Sequence, residues 1–173
     1  EIFLTTQMIS RARKHFGNKL LITHSSMTPA ERRAFWVECN SRSQAEGLVV
    51  LGPRSSLFSP LNNLGAIIID ECHEQSYKQD ASPRYLTEHV AAKLSKISNS
   101  KLILGSATPS ISTRYLAEAG KLTHIKLPSR AMASEHPYIK IVSLPKLSTI
   151  QTQELKEALE TCVHAGKSSL MYI

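Results

Sequence analysis

The chain has 173 residues, 42% of them hydrophobic, which is enough for one sizeable core with a trailing piece and fits a soluble globular domain. Its 21 Lys and Arg outnumber 14 Asp and Glu, a formal net charge of +7 that suits an anionic partner, nucleic acid first, and equally a merely soluble basic surface. No apolar run approaches the roughly 18 residues of a membrane span. The three scattered cysteines, Cys39, Cys72 and Cys162, form neither a disulfide framework nor a C-x-x-C zinc site, so a reducing cytoplasm is the expected setting.

Glu1-Ile2-Phe3-Leu4 carries no initiator Met and no charged leader, and a strand beginning at Ser168 runs out at Ile173, so a piece of a longer protein is expected. Met8, Ile9, Ala12 and Phe16 share one helical face, with Gly17 as C-cap. A strand is predicted at Lys19 to Thr23. Thr28-Pro29-Ala30-Glu31 is a capping box with Pro at the first helical position, opening a helix through Phe35, Trp36 and Cys39. Gly47 to Leu51 reads as a second buried strand and Ala66 to Ile69 as a third.

After a polar loop, a helix is predicted with Leu86, Val90, Leu94 and Ile97 inward, followed by a strand at Lys101 to Leu104. Thr108 and Pro109 are expected to start another helix, closed by Gly120 before a strand at Leu122 to Leu127. Pro128 to Pro137 reads as a linker, Tyr138 to Ser143 as a strand, and Gln151 to His164 as an amphipathic helix carrying Leu155, Leu159 and Cys162. Strands alternating with helices imply right-handed crossovers, so the expected fold class is α/β, with a mainly parallel sheet covered on both faces.

The chemistry concentrates at two strand ends. The run Ala66 to Ile69 delivers Asp70 and Glu71 to the C-terminal edge of its sheet, where open α/β sheets place ligands. Phosphoryl transfer needs one carboxylate to hold Mg²⁺, usually through water, and a second group to orient the attacking water. Asp70 suits the first task and Glu71 the second; an acidic surface turn is the plain alternative. Gly105-Ser106-Ala107-Thr108-Pro109 follows the next strand directly, so the hydroxyls of Ser106 and Thr108 are expected at the same edge. They could link the carboxylates to a neighbouring surface, and a helix cap at Thr108 is compatible with that role.

The pair Asp70-Glu71-Cys72-His73 and Gly105-Ser106-Ala107-Thr108-Pro109-Ser110 resembles motifs II and III of superfamily 2 helicases. Ser76-Tyr77-Lys78-Gln79 with Pro83-Arg84-Tyr85, and Gly52 through Pro60, are similar to the primosomal protein N′ (PriA) family of replication-restart helicases. Glu1-Ile2, Leu4-Thr5, Gln7 and His24-Ser25 extend the likeness, which covers Glu1 to Leu116 and resumes at the final strand.

The resemblance implies a RecA-like P-loop NTPase fold, with 1–145 as the first helicase motor domain and 146–173 as the start of the second. It implies a 3′–5′ DNA helicase acting in primosome assembly at stalled forks in the bacterial cytoplasm, near the nucleoid. ATP and magnesium would be the cofactors, with zinc in the full-length protein but outside this segment. Single-stranded and forked DNA, the primosome and single-strand-binding proteins would be partners, with no membrane. Asp70 and Glu71 would bind the metal and activate water. His73 would bridge them to Ser106 and Thr108, unless it is simply a satisfied, partly buried histidine.

Cys72 stands where Glu is expected in the family, and should point into the core as a small hydrophobe. The loop containing Tyr77, Lys78, Arg84 and Tyr85 would bind single-stranded DNA, since an aromatic face stacks on a base for about 1 to 3 kcal/mol while Lys and Arg hold phosphates. Alternatively the tyrosines anchor the loop to the core. Leu86-Thr87-Glu88 departs from the family's H-A-R at this place. Thr5, Arg54 and Ser55 would touch the DNA backbone, although a solvated loop arginine would look the same.

Gly166-Lys167-Ser168 is not a phosphate loop, because G-x-x-x-x-G-K-[ST] needs Gly where Thr161 stands and a strand-to-helix order. The phosphate loop is expected upstream of Glu1, so the segment alone is expected to be inactive. Another superfamily 2 helicase or remodeller, or a non-catalytic nucleic-acid-binding module with a relic motor core, are the competing readings.

Overall fold

The computed structural model describes residues 6–45, 47–128, 138–142 and 152–171. The chain divides into two compact units, 1–124 and 125–173.

In the first unit, helix α1 (Thr6–Phe16) ends at Gly17, whose φ of +53° suits a residue without Cβ. Strand β1 (Leu20–Ile22) leads to helix α2 (Pro29–Ala45). The capping box forms as expected. The Thr28 N–H donates to Glu31 Oε2 at 2.7 Å while the Glu31 N–H donates to Thr28 Oγ1 at 3.3 Å. These bonds hold the Glu31 carboxyl below its ordinary pKa, the Thr28 backbone donor being the main cause. Cys39 on α2 is fully buried, and burial pushes its thiol up to about 11.

Strand β2 (Val49–Leu51) pairs in parallel with β1, Leu20 opposite Val49. Beyond a 3₁₀ turn at Arg54–Phe58, strand β3 (Ala66–Ile69) carries the acidic turn. A short antiparallel hairpin, β4 (Lys78–Gln79) with β5 (Tyr85–Leu86), precedes helix α3 (Thr87–Ser98), and strand β6 (Lys101–Leu104) pairs in parallel with β3, Ile68 opposite Ile103. Helix α4 (Ile111–Glu118) follows.

The strands thus form two separate parallel pairs, β1 with β2 and β3 with β6, instead of the single expected sheet. The segment Leu61–Gly65 and a groove of about 1010 Å³ lie between β2 and β3. Helix α3 covers one face of the β3–β6 pair, where Ile67, Ile69, Cys72 and Ala91 form a buried cluster with Leu94, Leu102 and Leu104 packed against it. The opposite face is open among the described residues, with Ile68 70% and Ile103 50% exposed. Covering on both faces is therefore not what the described residues form.

Three local expectations shift. The inward stripe of α3 is Thr87, Ala91 and Leu94, whereas Leu86 and Ile97 are 43% and 71% exposed. Leu86 instead pairs opposite Lys78 in the β4–β5 hairpin, and the helix begins at Thr87, which is buried. The cap of α4 is Ser110, accepting from the Thr113 N–H at 3.2 Å, and not Thr108, whose own N–H donates to Ser106 Oγ. No strand forms at Leu122–Leu127. Gly120, at φ +70°, ends α4, and the N–H groups of Lys121 and Leu122 both turn back to the Leu116 carbonyl.

In the second unit, helix α5 (Gln153–His164) is capped by Thr152, which accepts from the Leu155 N–H. Residues 138–142 and 168–171 are not strands. The remainder of both predicted strands, residue 143 and residues 172–173, lies outside the described residues.

One glycine is demanded by packing. A Cβ on Gly52 would collide with the Thr23 methyl and stand 2.9 Å from Ser56 Cβ, whereas one on Gly47 would meet nothing within 4 Å. Gly52→Ala should therefore lower stability by about 1–3 kcal/mol, whereas Gly47→Ala should leave it unchanged or raise it by up to about 1 kcal/mol, measured by denaturant unfolding.

Candidate active site

Strand β3 ends at Ile69 and the chain turns sharply. Asp70 is exposed at the strand end, with its Oδ1 accepting the Glu71 N–H at 3.0 Å. Glu71 sits in the left-handed region at φ +47°, a conformation an L side chain adopts only at a cost of order 1 kcal/mol or more and one that clusters at functional sites. The ladder between β3 and β6 runs on past both strands. The Gly105 N–H donates to the Ile69 carbonyl at 2.8 Å, and the Cys72 N–H donates to the Gly105 carbonyl at 2.9 Å. Gly105 also lies close to the acid, since a Cβ there would stand 3.2 Å from Asp70 Oδ1.

This extension brings the two motifs together. His73 Nδ1 lies 2.8 Å from Ser106 Oγ and 3.5 Å from Glu71 Oε2, while Nε2 is 4.0 Å from Glu74 Oε1. Ser106 Oγ also accepts the Thr108 N–H at 3.0 Å. Thr108 therefore joins the network through its backbone, with its side chain exposed. Cys72 is buried beneath the turn, and burial, followed by the neighbouring Glu88 carboxylate, pushes its thiol above the ordinary range.

The predicted nucleic-acid residues are largely engaged with their own chain. Arg54 Nη1 donates to the carbonyls of Ser76 at 2.5 Å and Lys78 at 2.8 Å. The Tyr77 hydroxyl donates to the Asp70 carbonyl at 2.9 Å, so this ring does anchor the loop. Lys78 Nζ is 3.5 Å from Asp80 Oδ1, and Arg84 Nε donates to the Asp80 carbonyl at 3.1 Å. The Tyr85 ring meets Phe58 edge-on, with centroids 5.6 Å apart. Ser55 is exposed, and with Pro53, Arg54, Ser76, Tyr77 and Tyr85 it lines a cleft of about 250 Å³. Thr5 lies outside the described residues.

Sequence reading missed Thr87, whose hydroxyl donates to the Tyr77 carbonyl at 2.6 Å, and the closeness of Gly105 to Asp70. A glycine at the strand end was the one available signal for the second; nothing local pointed to the first. Among the described residues no three His, Cys, Asp or Glu side chains stand together as a metal cage. The turn instead carries three exposed carboxylates, Asp70, Glu71 and Glu74, with Asp70 lying against Gly105, and oxygen donors of this kind fit a hard cation held through water.

The fold and this site define a mixed α/β protein in which an acidic turn at a parallel strand end is hydrogen-bonded to a hydroxyl-bearing turn beside it. No family model matches the chain. It is 33% identical to the replication restart protein PriA of Bacillus subtilis over 178 residues, 100% of this chain and 22% of that protein. It is 36% identical to the PriA of Chlamydia trachomatis over 181 residues, covering 99% of this chain and 23% of the relative. The PriA of Haemophilus influenzae is 34% identical over 176 residues, 100% of this chain and 24% of the relative. The chain belongs to the PriA family, and it spans less than a quarter of the length of each of these curated relatives. No helix among the described residues is long and apolar enough to cross a membrane.

Tyr77 offers a check on this geometry. Burial, then the negative charges of Asp70 and its neighbours, hold its phenol above the ordinary 10.0. A raised folded-state value means the folded protein keeps a proton that the unfolded chain releases first. The contribution is whole below about pH 10 and is lost as pH climbs through the folded value. Stability should fall above about pH 10 more steeply in the wild type than in Tyr77→Phe, measured by chemical denaturation across the alkaline range.

Proposed function

We propose that this chain forms part of the first motor domain of an ATP-dependent 3′–5′ DNA helicase that restarts stalled replication forks. The observation that carries the reading is the junction of Asp70, Glu71 and His73 with Ser106 through the Gly105 backbone. A RecA-like architecture, a first motor domain over 1–145 and the start of a second over 146–173 belong to the same proposal. So do ATP and magnesium as cofactors, zinc elsewhere in the full-length protein, and action in the cytoplasm on single-stranded and forked DNA with primosome and single-strand-binding proteins.

When bound, Mg·ATP supplies the transferable phosphoryl group and the neutralising charge on its oxygens. Asp70 would hold the metal side of that group through water, its Oδ1 oriented by the Glu71 N–H. Glu71, thrown forward by its left-handed backbone, would take the proton of the attacking water. His73 can meet Ser106 in two ways, donating from Nδ1 when that nitrogen is protonated or accepting from the Ser106 hydroxyl when it is bare. Either way, a proton moved near Glu71 is felt at Ser106, and through Ser106 at the Thr108 N–H.

Nucleic acid would meet the cleft beside Arg54 and Ser55, with Tyr85, Lys78 and Arg84 on the adjoining hairpin. Transfer between that surface and the acidic turn is what a translocating motor requires. In the intact protein, Glu71→Gln keeps the shape of the side chain and removes its basicity. DNA-stimulated ATP hydrolysis should fall below one tenth of the wild-type rate, a loss of at least about 1.4 kcal/mol, with DNA binding retained. Turnover above one tenth would overturn the assignment of Glu71.

A further inference from the structure

The peptide unit between Asp70 and Glu71 is held at both ends. Its N–H donates to Asp70 Oδ1 at 3.0 Å, and its carbonyl accepts the Tyr77 hydroxyl at 2.9 Å. The orientation of this plane sets the φ of Glu71, which stands at +47°. A left-handed residue persists only where its surroundings fix it. Tyr77 is in turn fixed along its whole backbone, with its N–H on the Glu74 carbonyl at 3.1 Å and its own carbonyl on the Thr87 hydroxyl at 2.6 Å. On either side of it, the carbonyls of Ser76 and Lys78 converge on Arg54 Nη1.

We infer that Arg54 and Tyr77 are positioning residues that set the Asp70–Glu71 turn. The Pro53–Ser55 loop then controls the geometry of the two acids through a continuous chain of hydrogen bonds. The inference rests on the proposed reading of that turn as the hydrolytic site. Its physical content is that a guanidinium on two carbonyls forms charge-assisted bonds, roughly twice as strong as neutral ones, on both sides of a single tyrosine. The Arg54 side chain also lines the cleft, where Ser76 Oγ is buried without a partner.

The test compares wild-type intact protein with Arg54→Gln and Tyr77→Phe by amide hydrogen exchange, read separately over residues 69–74 and 76–79. Exchange over 69–74 should accelerate about two- to tenfold in both variants, and over 76–79 in Arg54→Gln as well, the range expected for one lost hydrogen bond. Acceleration confined to 76–79 in Arg54→Gln, or unchanged exchange over 69–74 in Tyr77→Phe, would overturn the inference. Should Arg54→Gln loosen the whole domain, Tyr77→Phe, which removes a single hydroxyl, decides alone.

Steady-state kinetics separate positioning from DNA contact. At saturating DNA, kcat for ATP should fall in both variants about two- to tenfold, while the half-saturating DNA concentration stays within about twofold. A shift in half-saturation with unchanged kcat would make these residues DNA ligands and overturn the inference. Hydrogen exchange does not depend on turnover. A wild-type protein without ATPase activity would therefore sink the hydrolase reading and leave the inference to stand or fall on exchange.

Discussion

The parallel ladder between β3 and β6, and above all its continuation through Gly105, is the constraint on which the rest of the first unit depends. Gly105 donates to Ile69 and accepts from Cys72, so one residue of the second motif joins the last residue of a strand to the turn beyond it. Each such bond contributes only about 1 kcal/mol to stability. Its larger effect is positional. It fixes the phase at which the chain leaves β3, and that phase decides whether Asp70 points outward while Cys72 dives into the core. The buried cluster of Ile67, Ile69, Cys72 and Ala91 supports the same choice from below, because a slip of one residue would exchange the buried and exposed sets.

A second layer of order lies between the acidic turn and the hairpin of β4 and β5. Here the side chains that look most suited to meeting nucleic acid are committed in part to their own backbone. Arg54 is shared between two carbonyls, Tyr77 holds a third, and Asp80 draws Lys78 and Arg84 together. Those commitments differ in strength. The contact of Lys78 with Asp80 is exposed and worth little in water, whereas the bond of Arg54 to the Ser76 carbonyl is partly buried and charge-assisted. The basic loop is in this way a strut of the molecule, with Arg54 its firmest tie.

Signals carried within a few residues were legible in the sequence. The Thr28–Glu31 box, Gly17 and Gly120 at helix ends and the β1, β2, β3 and β6 runs follow from local spacing, whereas the meeting of His73 with Ser106 was implied by the family resemblance and not by spacing. What escaped depended on partners elsewhere. Leu86 was claimed by Lys78 across a hairpin and left the face of α3, and Leu122–Leu127 stayed outside a sheet although its apolar pattern was adequate. The inward use of Arg54 escaped for the same reason, since its two acceptors lie 22 and 24 positions away and carbonyl acceptors leave no trace in residue type.

The backbone at Glu71 restricts which side chains this corner can hold. A left-handed φ is comfortable for Gly and tolerable for Asn or Asp, yet the position also has to project a carboxylate as far as the His73 ring. Glycine would relax the corner and lose the acid; aspartate would suit the corner but fall a methylene short; a β-branched residue would suit neither. Glutamate is thus a compromise in which reach is kept at the expense of conformational ease. The stored tension gives this corner a lower-energy shape to relax toward whenever its outside supports are withdrawn.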